Sequence, residues 1–270
     1  MARRRRGSGM TALITGASGG IGVELARCFA KDGYNVVLAA RSREKLDVAC
    51  AGIAQEFAVS AIPLDCDLGR INAGTELVKA LEERGLAVDV LVNNAGYGQR
   101  GPFAEGDLSS QLGMVDLNIR TLVELTGLLW PRILKNGRGG ILNVGSTGSF
   151  QPGPYMAVYC ASKAFVLSFT EALWEEARGT SVCVSCLCPG ATRTGFQRRA
   201  GAEKLHLYCM GMMGARRVAR LGYRGFRTNR RVTITGIINR MMVWTVPFSP
   251  RSVVLRVGRR LLSEPGAVRA

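Results

Sequence analysis

"MTALITGASGGIG", residues 10–22, decides the fold. Its first six residues are a short apolar run that stops at glycines, the pattern of a buried strand. Gly16, Gly20 and Gly22 follow with the spacing G-x-x-x-G-x-G. Glycine permits a tight backbone turn and a close approach by another group. "IGVELARCFAKDG" (21–33) then has helical periodicity and ends at Gly33. A strand, a glycine turn and a helix in that order offer free N–H groups and a positive dipole end, which suits a pyrophosphate. A glycine-rich turn by itself is often only a turn. Its position at the head of a strand–helix series is what points to a dinucleotide.

The alternation continues along the chain. "NVVLAA" (35–40), "SAIPLD" (60–65), "VDVLVN" (88–93), "GGILNVG" (139–145) and "SVCVSCLC" (181–188) read as further strands. Helical stretches fall at about 42–57, 71–84, 107–136 in two pieces, and 157–178. The expected architecture is α/β: a single Rossmann-type, doubly wound parallel sheet with helices on both faces. Ligands then belong at the carboxyl ends of the strands. We divide the chain into a basic extension (1–9), a dinucleotide-binding and catalytic core (10–196), and a substrate lid with a basic, apolar C-terminal segment (197–270).

The end of the second strand bears on the choice of dinucleotide. An acid there would hold a ribose 2′-OH, whereas an arginine accommodates a 2′-phosphate. The sequence is "AARSR", with Arg41 at that place, Arg43 two residues on and no acid. A guanidinium forks well onto phosphate, so NADP(H) is favoured over NAD(H). The bland reading is that both arginines are solvated turn residues. "DCDL" (65–68) places Asp67 and Leu68 where an adenine ring would lie, although an acid at a strand end also serves as a turn former.

The remaining strand ends carry polar groups: "NNAG" (93–96), "NVGS" (143–146) and, after the sixth strand, "PGATRT" (189–194). "YCASK" (159–163) sets Tyr159 and Lys163 four apart, on one helix face. With "TGASGGIG" and Asn118 in "DLNI", these motifs make residues 10–196 resemble the short-chain dehydrogenase/reductase family. Within it the chain is similar to bacterial NADP-dependent members and, more distantly, to ketosteroid and 3-ketoacyl reductases. The resemblance implies an oxidoreductase moving hydride between nicotinamide and a carbonyl or secondary alcohol. Tyr159 would be the general acid or base. Free tyrosine titrates near pH ~10, and a nearby ammonium lowers that value, which is the role implied for Lys163. Ser146 would donate a hydrogen bond to the same oxygen, and Asn118 would hold a water in the proton path. Cofactor contacts are implied for Gly16, Ser18, Gly20, Ile21, Gly22, Arg41, Asp67, Leu68, Asn94, Ala95, Gly96, Tyr159, Lys163, Pro189, Gly190, Thr192 and Thr194. Asn93 is expected to steady the central strand. Gly145 departs from the family's usual Ser or Ala, a change expected to alter pocket shape. The resemblance also implies a homo-oligomer paired through long helices.

Net charge is +16, unevenly spread: Arg3 to Arg6 form a basic head, and sixteen Lys/Arg against Glu203 and Glu264 follow from Arg198 onward. Such charge speaks of partners rather than fold. Eight cysteines and one histidine, His206, do not make a zinc pattern, so reduced, buried thiols and no metal are expected. No secretory signal and no spanning helix is read, and the expected location is cytoplasmic. Met10 is a second candidate start. The segment "ITGIINRMMVWTVPF" (234–248) is apolar but short. It reads as a cover over a cleft that takes an apolar, lipid-like or ketoacyl substrate. A second reading makes 197–270 a contact for an anionic membrane surface, on the inner face of the membrane. Nucleic acid is disfavoured, because no basic-aromatic recognition module is visible. Tyr155 and Met156 are expected to overhang the carbonyl site or pack the loop. The rival functions are a non-catalytic dinucleotide sensor or a membrane-surface scaffold of the same fold.

Overall fold

The computed structural model describes residues 7–202, 205 and 211–263. The arginines of the head, His206, Glu203 and Glu264 lie outside these residues. Seven strands form one parallel sheet in the order β3-β2-β1-β4-β5-β6-β9. Its strands are β1 Thr11–Thr15, β2 Asn35–Ala40, β3 Ala61–Asp65, β4 Val90–Asn93, β5 Gly140–Val144, β6 Cys183–Cys188 and β9 Val232–Ile234. The order reverses between β1 and β4, which opens a crevice above their carboxyl ends. This is the Rossmann-type sheet expected from the alternation.

Successive strand residues point to opposite faces, so both faces must be covered. Ala12, Ile14, Val36 and Leu38 pack beneath α1 (Gly20–Lys31), α2 (Arg43–Phe57) and α8 (Ala215–Arg227). Leu13, Val37, Leu91 and Ile141 pack on the other face, beneath α3 (Ala73–Glu83), α5 (Thr121–Asn136) and α6 (Ala157–Glu176). The basic stretch 213–226, assigned from sequence to the lid, instead supplies α8. Its Val218, Tyr223 and Phe226 are buried, and Phe29 of α1 meets both aromatic rings. The seventh strand, β9, also falls within residues 197–270 and extends the sheet beside β6. Cys186 and Cys188 of β6 are buried free thiols, as the apolar reading of that run requires.

The helical region after β4 is continuous over residues 108–136. α4 (Leu108–Val115) begins at an Asp107 cap that accepts from Ser109 and Ser110, and α5 ends at Gly137. A π turn, Asp116–Arg120, joins them and contains Asn118. Such wide turns are uncommon and cluster at functional sites. Short strands β7 (Thr192–Arg193) and β8 (Met213–Gly214), the turn α7 (Phe196–Arg199), α9 (Ile237–Thr245) and α10 (Arg251–Leu262) build a cap over the crevice. Among the described residues no helix is long and apolar enough to cross a membrane.

Candidate active site

A cleft of about 900 Å³ runs along the carboxyl ends of the strands and beneath the cap. At its floor the backbone is bare. Gly16 has φ +65°, in the left-handed region that favours glycine, and a Cβ there would stand 2.8 Å from the Ala95 Cα. Gly22 lies behind the turn; a Cβ would meet the Gly16 carbonyl oxygen at 2.5 Å, so its role is to let α1 close against β1. Helix α1 starts at Gly20 without a side-chain cap and without an acid in its first turn. Its positive end therefore faces the cleft uncompensated. Asn94 holds this floor together: its Nδ2 donates to the carbonyls of Thr15 (2.9 Å) and Gly16 (3.2 Å).

At the far end of β2, Arg41 and Lys45 line the cleft, and Arg41 has no carboxylate partner among the described residues. Arg43 does not join them. It is the first residue of α2, and its guanidinium is held by Asp47 one turn along (2.8 Å) and by Asp65 (3.2 Å). Asp67 and Leu68 line the same end. Asp67 accepts from the Gly69 N–H, and the Leu68 carbonyl accepts from Thr121. Arg199, which the sequence reading did not single out, reaches the cleft from α7 and lies over the Tyr97 ring at 4.6 Å. Burial and the Arg41 charge push its pKa down.

The polar group expected around Tyr159 converges. Lys163, one turn along α6, is buried and donates from Nζ to the Val144 carbonyl at 2.8 Å. Burial pushes its pKa down to about 8. Two residues beyond Val144, Ser146 Oγ accepts from the Gly148 N–H (3.0 Å), and that bond leaves its hydroxyl proton for another acceptor. A carbon at the Cβ position of Gly148 would lie 3.4 Å from Ser146 Oγ and 3.8 Å from the Tyr159 ring, so both groups border one small space. A carbon on Gly96 would likewise lie 2.8 Å from Asn118 Oδ1 and 3.3 Å from Lys163 Nζ. Asn118 is buried, donating to the Tyr97 carbonyl (3.0 Å) and to Ser162 Oγ (3.0 Å) and accepting from the Tyr97 N–H (3.1 Å). Asn93 is tied across the sheet, donating to Asn143 (2.9 Å) and to Thr126 of α5 (3.2 Å).

Ser18, Gly20, Ile21, Ala95, Pro189, Gly190, Thr192 and Thr194 also line the cleft. The Thr194 methyl comes within 3.3 Å of a Cβ placed on Gly20, so the "PGATRT" segment faces the glycine turn. Above Tyr159 the wall is apolar. The Phe196 ring is 5.4 Å from the Tyr159 ring, and Met156, Met242, Val243, Leu261 and Leu262 complete it. Of the two loop residues, Met156 lines the cleft. Tyr155 turns away: its backbone takes φ +67°, and its hydroxyl accepts from Arg259 of α10 at 3.2 Å. The apolar wall from α9 and α10 was not readable residue by residue, since no motif marks it.

The crossover crevice, bare glycine floor and uncapped α1 fit a nicotinamide dinucleotide, and the site defines a dinucleotide-dependent oxidoreductase. The sequence matches the family model of short chain dehydrogenases over residues 10–205. The chain belongs to the short-chain dehydrogenase family. Ketoacyl reductase HetN of Nostoc sp. is 35% identical over 73% of this chain and 70% of that protein. A very-long-chain 3-oxoacyl-CoA reductase of Anas platyrhynchos is 35% identical over 68% of this chain, and the match spans 60% of that protein. Among solved structures, a short-chain dehydrogenase from Sphingobium yanoikuyae in complex with NADPH is 31% identical, with a TM-score of 0.78, covering 97% of this chain and 98% of that one.

Proposed function

We propose that the chain is an NADP(H)-preferring reductase of a carbonyl carried on an apolar, ketoacyl-like molecule, reversible as an alcohol dehydrogenase. One observation carries the reading. One cleft has Arg41, which no carboxylate pairs among the described residues, at its dinucleotide end and an apolar wall around Tyr159 at the other. The names of the similar proteins support it, being ketoacyl and 3-oxoacyl-CoA reductases and an NADPH complex.

A nicotinamide cofactor, when bound, would supply the hydride. Ser146 donates its hydroxyl hydrogen bond to the substrate oxygen and stabilises the charge that grows there. Tyr159 passes its phenolic proton to that oxygen. Lys163 stabilises the phenolate left behind, and its fixed bond to Val144 keeps it on the strand that leads to Ser146. Asn118, beside Lys163 and behind Gly96, stands on the route by which a proton is returned from solvent. Arg41 and Lys45 would hold the 2′-phosphate, and Arg199 would meet the cofactor from the side of the cap. The test is an NADPH-oxidation screen across ketones and 3-ketoacyl thioesters of graded chain length. Rates should rise with apolar chain length, and Tyr159→Phe should lower turnover at least ~1,000-fold while NADPH affinity stays within about twofold. A screen in which no carbonyl consumes NADPH, or a Tyr159→Phe enzyme that still turns over, overturns the proposal.

A further inference from the structure

The apolar segment 234–248 shows two working sides. Asn239, Met242 and Val243 of α9 line the cleft. On the opposite side Ile237, Met241, Trp244 and Phe248 follow one another at the spacing of a single helical stripe, and they are 71, 65, 71 and 86% exposed. The stripe continues through the short turn Val246–Phe248 that follows α9. Large apolar side chains grouped in this way on a surface mark a contact. Residues 234–263 also carry Arg240, Arg251, Arg256, Arg259 and Arg260 and no Asp or Glu. All five arginines are exposed.

We propose that the outer face of α9 and the turn after it is a docking surface for an anionic lipid bilayer, which sets the mouth of the cleft against a store of apolar substrate. The docking follows from the surface itself; the part about substrate rests on the reaction proposed above. Charge selects the occupant. A second copy meeting this face about a twofold axis would set Arg240, on the same helix as the stripe, against its own copy, with no acid in residues 234–263 to answer it. Nucleic acid would answer the arginines but would leave Ile237 and Met241 in water, since bases stack on aromatic rings rather than on aliphatic chains. An anionic bilayer satisfies both groups, with apolar side chains at the acyl boundary and guanidinium groups among the headgroups. Helix α9 with its turn covers twelve residues, 237–248. At ~1.5 Å per residue that is ~18 Å, well short of the ~30 Å hydrocarbon core, so the segment lies along the interface and does not cross it. Trp244 stands where an interfacial tryptophan is favoured.

The test is flotation of the full chain with vesicles at low salt. One set contains phosphatidylglycerol and phosphatidylcholine in equal parts, and the other phosphatidylcholine alone. The chain is expected to float with the anionic vesicles, to stay behind with the neutral ones, and to lose at least ~10-fold in partitioning at high salt. The combined variant Met241→Ser, Trp244→Ser, Phe248→Ser should partition at least ~10-fold more weakly to the anionic vesicles. These side chains do not line the cleft, so its NADPH oxidation with a short water-soluble ketone should stay within about twofold. A wild-type chain that remains with the soluble fraction overturns the proposal, as does a variant that floats equally well. A wild-type dimer in solution that the variant breaks, with no vesicle binding, overturns it in favour of a second copy. A chain that floats but reduces no carbonyl refutes the proposed reaction and leaves the docking standing. One that reduces ketones in solution and never floats does the reverse.

Discussion

Replacing Lys163 by methionine should make the folded chain more stable while ending its chemistry. Among the described residues no carboxylate pairs the buried ammonium, and burial brings its pKa from 10.5 down to about 8. At ~1.4 kcal/mol per pKa unit, holding that cation inside the protein at neutral pH costs about 3 kcal/mol. Methionine matches the length of the stem and carries no charge to desolvate. Against the gain stands the bond to the Val144 carbonyl, whose loss costs about 1–2 kcal/mol. The net gain is about 1–2 kcal/mol, an upward shift in Tm of about 2–6 °C. The pH signature is specific. The group titrates near 8 in the folded chain and near 10.5 when unfolded. Below both values it is charged in both states and the full burial cost applies. Between them the unfolded chain binds the extra proton, so wild-type stability rises with pH across that window and the variant's lead shrinks. Thermal unfolding of both cofactor-free proteins at pH 6.5 and pH 10 reads this directly. A variant less stable than wild type at pH 6.5, or a lead that does not change with pH, would refute the reasoning.

Arg41→Ala should weaken NADPH about 10–100-fold, the loss of a charge-assisted contact, and change NADH by no more than about twofold. Titrations of both cofactors decide it, and equal losses would show that Arg41 does not hold the 2′-phosphate. Gly145→Ser should destabilise the chain by about 1–3 kcal/mol in urea unfolding, because a Cβ there would stand 3.1 Å from both the Cys186 and Cys188 sulfurs. Adding Cys188→Ala to that variant should recover a large part of the loss, and a strictly additive double variant would disprove the crowding.

The glycine at 145 also shows how far the sequence could be read. Its departure from the usual Ser or Ala was visible, but its cause was not, because the cause is a pair of thiols 3.6 Å apart on the neighbouring strand. The core was legible because apolar runs, glycine turns and helical stretches alternate with clear periods. β9 escaped notice because its three residues follow two arginines and have no period of their own. Linear spacing put Arg43 two residues beyond Arg41 and left its direction open. Helix α2 begins at that residue and turns it toward Asp47, while bringing Lys45 to the cleft. Tyr155 and Met156 looked alike in the loop, and only the left-handed backbone at Tyr155 separates their directions. The cleft wall from α9 and α10 depends on how the chain returns over the sheet, which no local pattern encodes.

The bond from Lys163 to Val144 ties α6 to β5, the strand that runs on to Ser146. Every group proposed to handle a proton is thus anchored to the inner framework, whereas Met242, Val243, Leu261 and Leu262 arrive on a separate, later stretch of chain. Exchanges at those four positions are therefore expected to redirect what enters while leaving how it is converted undisturbed.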